Sequence, residues 1–75
     1  MKLHTHVVTL ARNGGVTRLF LVSASTSMDA LRIAHRDWNQ TDSKRVPNTA
    51  TIYHVVTQST EVWHNAGQGW RRLAN

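Results

Sequence analysis

Hydrophobic and polar positions run first with a period of two, then with the period of a helix, then with a period of two again. Residues 3–11 and 16–24 are rich in β-branched and aliphatic side chains and are joined by Arg12-Asn13-Gly14-Gly15. Asn-Gly supplies the positive φ angles of a type I′ turn, so this stretch predicts a β-hairpin. A two-residue loop at Asn13-Gly14 would pair Val8 with Leu19 and His6 with Leu21. One face would then carry His4, His6, Val8, Leu10, Leu19 and Leu21, and the other Leu3, Val7, Ala11, Val16, Phe20 and Val22. Neither set is polar, so both faces are expected to be at least partly covered. A partner chain, including a second copy in a homodimer, is a candidate for the second cover.

The next segment, STSMDALRIAHRDWNQ, predicts a helix over residues 27–39. Thr26 and Asp29 stand at capping-box spacing, and Asp29 also lies against the positive end of the helix dipole. At 100° per residue, Ala30, Leu31, Ala34 and Trp38 form one stripe, with Met28 and His35 at its margin. Arg32 and Arg36 point away from it. TDSKRVPNT then reads as a loop carrying Lys44 and Arg45 and the single proline. Residues 50–57 read as a strand, Gln58-Ser59-Thr60 as a turn, and the rest as a hairpin around Asn65-Ala66-Gly67-Gln68-Gly69. The order β-β-α-β-β-β predicts one α+β domain spanning residues 1–75, a small antiparallel sheet with one helix packed on it.

In that last hairpin, a loop of two residues (Ala66-Gly67) or of four (Asn65 to Gln68) sets Trp63 opposite Trp70 and Glu61 opposite Arg72. Such aromatic and opposite-charge pairs contribute roughly 0.2–1 kcal/mol each. The tryptophans are therefore expected to hold the hairpin onto the domain, not to serve as a stacking platform.

Charge changes the picture more than composition does. Nine Lys and Arg against four Asp and Glu leave a net charge of +5 in 75 residues. So basic a small domain favours an anionic partner, a nucleic acid or an acidic protein face. The absence of cysteine excludes disulfides and thiolate zinc sites. No apolar run is long enough to span a bilayer or to act as a secretory core, so the chain is expected in the host cell cytosol, away from membranes.

Chemistry is thinly represented. His4 and His6 alternate on one strand face and could share a metal, but the sequence places no third ligand beside them, so no metal is expected. Asp29, Asp37, Asp42 and Glu61 are scattered, and no serine sits in a Gly-x-Ser-x-Gly turn. No P-loop, dinucleotide fingerprint or RNA-recognition signature is present. The enzyme class retained is a basic endoribonuclease using His54 or Tyr53 beside Arg71. The leading expectation is that the protein is not an enzyme and needs no cofactor.

STSMDALRIA, the strand TIYHVV and the closing W…G…W hairpin resemble the small phage anti-CRISPR proteins that act on type I-F surveillance complexes. Ala30, Arg32, Ile33 and Ala34 fall on the matching helix positions, Thr26 on the cap, and Trp63, Gly67 and Trp70 on the hairpin. The likeness covers about residues 20–75. The Trp-to-Trp turn is shorter here, and the N-terminal hairpin has no counterpart motif. The resemblance implies a protein that docks on a crRNA-guided ribonucleoprotein complex and blocks or misdirects DNA binding through basic side chains.

The expectation is thus a small basic phage- or plasmid-type inhibitor that binds a nucleic-acid-handling complex. The alternative is a stand-alone DNA- or RNA-binding accessory protein making mainly phosphate contacts. Candidate partner-binding residues are Arg32, Arg36, Lys44, Arg45, Arg71 and Arg72, with Arg72 expected to be held by Glu61.

Overall fold

A computed structural model of the protein describes residues 2–12, 15–41, 46–67 and 69–74. Its elements follow the expected order: β1 His4–Ala11, β2 Thr17–Ala24, α1 Ser27–Thr41, β3 Thr49–His54, β4 Ser59–Asn65 and β5 Trp70–Ala74. The strands form one five-stranded antiparallel sheet in the order β2-β1-β3-β4-β5. The helix connects β2 to β3 across one face, passing over β1. No helix among the described residues is long and apolar enough to cross a membrane.

The helix starts where its caps allow. The Asp29 amide donates to Thr26 Oγ1 at 3.2 Å, and the Ala30 amide to the Thr26 carbonyl at 3.0 Å. At the other end the Thr41 hydroxyl donates to the Trp38 carbonyl at 2.9 Å, satisfying an acceptor that the helix itself leaves open. The expected stripe is the buried one: Ala30, Leu31, Ala34 and Trp38 are all inaccessible to solvent. They meet Val8 and Leu10 of β1, Val22 and Ala24 of β2, Ala50 and Ile52 of β3 and Trp63 of β4.

The first hairpin departs from the two-residue loop. Its tip, Asn13-Gly14, lies outside the described residues, but the flanking hydrogen bonds are clear. Arg12 N donates to Val16 O at 3.1 Å, and Gly15 N to Arg12 O at 2.9 Å. The loop is one residue longer than expected, and Val8 pairs with Phe20 and His6 with Val22. A slip of one residue turns every side chain of a strand over. Phe20 and Val22 therefore join His6, Val8 and Leu10 beneath the helix, while Leu19 and Leu21 point to the opposite face.

The last hairpin also departs, with a different consequence. Trp70 pairs with Asn65 and Trp63 with Arg72, and a bulge interrupts the ladder between Val62 and Trp63. The two tryptophans are diagonal, not opposite. Gly67 and Gly69 take φ of 96° and 101°, and the Gly67 amide donates to Asn65 Oδ1 at 2.8 Å, which starts the loop after Asn65. This shift is by two residues, so the faces are preserved and both tryptophans still point toward the helix.

Strand β3 ends at His54, three residues short of the expected 57. Gln58, at φ 57°, donates its amide to the His54 carbonyl at 2.7 Å and closes a turn that leaves Val55 and Val56 exposed.

Candidate functional site

The sheet has two unlike faces. On the helix side, at the end of the sheet near the helix N-terminus, the apolar core gives way to a polar cluster around Glu61. The Ser27 hydroxyl donates to Glu61 Oε2 at 2.7 Å, and His54 Nε2 lies 2.6 Å from the same oxygen. Trp63 Nε1 donates to Oε1 at 3.1 Å, and Arg72 stands 3.8 Å from Oε1. Burial alone would push the Glu61 carboxyl up, but the hydrogen bonds from Ser27, His54 and Trp63 outweigh it and hold the group below its ordinary value.

Ser27 Oγ and His54 Nε2 are 3.1 Å apart. A serine–histidine–carboxylate relay needs the serine proton aimed at one imidazole nitrogen and the acid at the other. Here serine and imidazole both direct hydrogens at one carboxylate oxygen. The arrangement satisfies a half-buried acid and ties the helix start to β3 and β4.

Beside this cluster opens a cavity of about 290 Å³ lined by His4, His6, Ser25, Thr26, Ser27 and His54, among others. His6 and His54 meet edge to face with ring centroids 4.7 Å apart, and His6 Nδ1 lies 2.9 Å from the His4 carbonyl. Burial, and then the neighbouring His54, lower the His6 pKa. No group of three or more His, Asp or Glu among the described residues is arranged to hold a metal ion. His35, at the helix margin, accepts a hydrogen bond from the Trp70 indole at Nδ1, 3.2 Å away, and burial lowers its pKa too.

The candidate cations do not gather into one patch. Arg32 and Arg36 are exposed on the outer side of the helix, 3.9 Å from Asp29 and 3.8 Å from Asp37 respectively. Arg72 lies on the helix side of β5 against Glu61, as expected of it. Arg71, paired with His64, lies on the opposite face. Lys44 and Arg45 lie outside the described residues. His54 and Arg71 are on opposite faces, and Tyr53 pairs with Thr60, four residues along β4 from the His64 partner of Arg71. The endoribonuclease grouping is not brought together.

That opposite face is open among the described residues: helix α1 lies on the other side. Following the register across the strands gives three rows: Thr17, Ala11, Thr49, His64 and Arg71; Leu19, Thr9, Thr51 and Val62; and Leu21, Val7, Tyr53 and Thr60. Leu19 and Leu21 are 64% and 72% exposed, values that mark them as surface side chains despite their chemistry. None of the residues in these rows is acidic.

The sequence did not point to the Glu61 cluster. His54 and Glu61 are seven residues apart, and only a known turn length sets them diagonally on adjacent strands. Neither the scan against protein-family models nor the comparisons with curated proteins and solved structures found a match.

Proposed function

We propose that the protein is a small basic inhibitor that acts by binding a nucleic-acid-handling complex, in the manner of the anti-CRISPR proteins its helix and last hairpin resemble. The observation that supports this reading is the segregation of charge. The described carboxylates Asp29, Asp37 and Glu61 each stand within 4 Å of a cation on the helix side. Among the described residues the open sheet face has no carboxylate, and it carries Arg71 and His64 at one corner of an apolar and threonine-rich surface. Such a face accepts an anionic or acidic partner without like-charge repulsion, while threonines and leucines supply neutral contact area.

Two measurements on the same protein test the reading. A purified type I-F surveillance complex, its target DNA labelled, should lose DNA binding as the protein is added, and the protein should co-purify with the complex. Bare duplex and single-stranded DNA or RNA should not be retarded at micromolar protein. Retardation of bare nucleic acid with a steep salt dependence, and no effect on the complex, would replace this reading with the stand-alone nucleic-acid binder.

A further inference from the structure

The two edges of the sheet are built differently. The outer edge at β5 carries Arg71 and Arg72 and is broken by the bulge opposite Val62 and Trp63. These are the devices by which sheets discourage pairing with another chain. The edge at β2 has no bulge and only one charged residue. Its register with β1 runs from Thr17 to Ala24 without interruption, and the strand contains no proline, no lysine and a single charge, Arg18. Arg18 is folded inward, its guanidinium 5.6 Å from the Trp38 ring centroid.

Backbone direction along β2 follows from three hydrogen bonds. Arg12 N to Val16 O makes the even-numbered residues of β2 face β1. Asn48 N to Ala11 O and Val55 N to Thr5 O show odd-numbered β1 residues turned toward β3, which agrees. The amides and carbonyls of Thr17, Leu19, Leu21 and Ser23 therefore point outward from the sheet, and the side chains of Leu19 and Leu21 stand exposed beside them.

We propose that this edge pairs antiparallel with β2 of a second copy, joining the two sheets into one of ten strands. The sequence of β2 is complementary to itself about Phe20. With Phe20 opposite Phe20 of the partner copy, Leu19 faces Leu21, Thr17 faces Ser23 and Arg18 faces Val22, so no like charges meet. The outward backbone groups of Leu19 and Leu21 satisfy one another, and four leucines form one cluster on the open face. On the helix side, Phe20, already packed at the margin of the core, meets its own copy across the two-fold axis. A groove of about 330 Å³ lined by Ser23, Ala24 and Ile33 lies where the same register brings Val16 of the second copy. A strand of unrelated sequence would not match all of these positions at once.

The test is sedimentation equilibrium across the micromolar to sub-millimolar range, with amide hydrogen exchange read residue by residue. The expected species has twice the 8.5 kDa mass of the chain. It forms as readily or more so at raised salt, because two chains of net charge +5 repel. The Leu19 and Leu21 amides should be protected in it and exchange freely on dilution. Leu21→Lys should return the mass to that of one chain and melt at the temperature of the dilute, unassociated wild-type protein. Thr17→Pro, which removes an outward amide at the first position of the strand, should weaken association in the same way, and decides the matter if Leu21→Lys fails to fold. A monomer throughout the range would overturn the proposal, as would a dimer whose Leu19 and Leu21 amides exchange freely. Protection that appears only on adding a target complex would also overturn it, assigning the edge to a strand of that target.

Discussion

The helix-covered face and the open face are made from alternate residues of the same strands, yet they do opposite things. Under the helix, Val8, Leu10, Ile52, Leu31 and Trp38 are sealed from water, and the half-buried Glu61 carboxylate has several donors. On the open face, threonines separate Leu19, Leu21, Val7, Tyr53 and Val62, and little there holds the domain together. The lesson is a division of labour: folding free energy is concentrated on one face, which leaves the other able to change partners at small cost. Variants on the two faces should therefore differ sharply, and each prediction below probes that difference.

The largest effect is expected at Trp38, fully buried between helix and sheet. Trp38→Ala should cost about 3–5 kcal/mol, comparable to the whole stability of so small a domain, and abolish cooperative unfolding in urea. Next comes Glu61→Leu, which leaves the Ser27 hydroxyl, the His54 imidazole and the Trp63 indole without their acceptor. A loss of about 1–3 kcal/mol in unfolding free energy is expected from urea titration.

Acid should reach the covered face before the open one. His6 and His35 have folded-state pKa values below the ordinary 6.5, so the unfolded chain takes up protons first as pH falls. Stability should be flat above neutrality and decline below 6.5. Protonation of His35 at Nδ1 also removes the acceptor used by Trp70. Glu61, held below 4.5, contributes stability that is present above that value and lost as pH falls through its folded pKa, giving a second decline. Urea midpoints taken across this range should trace both steps, and Glu61→Leu should lose the lower one. By contrast, Leu19→Thr on the open face should change the unfolding free energy by about 0.5 kcal/mol or less.

The sequence made the covered face legible in its helix and less so in its strands. Ala30, Leu31, Ala34 and Trp38 follow a 3.6-residue period that only one orientation satisfies, and Thr26 marks the start. Strand faces depend on loop length, which the residue types at a turn constrain only loosely. One extra residue at the first turn exchanged Leu19 and Leu21 for Phe20 and Val22, because a shift of one reverses the faces. At the last turn the shift was two, so Trp63 and Trp70 kept the expected face and Arg72 still reached Glu61, diagonally. The polar cluster was illegible for the same reason: Ser27, His54 and Glu61 come from three elements and meet only through the register. The open face could not be recognised until the hairpin was correctly paired.

The division between faces is tested most directly at β5, where neighbouring residues point opposite ways. Melting temperature and binding to a purified surveillance complex should be measured together for Arg71→Glu and Trp70→Ala. Arg71→Glu, an exposed charge on the open face, should leave the melting temperature nearly unchanged and weaken binding. Trp70→Ala, packed against the core and bonded to His35, should lower the melting temperature. A Trp70→Ala variant of unaltered stability that no longer binds, beside an Arg71→Glu variant that binds normally, would contradict the account and make the tryptophan the contact surface.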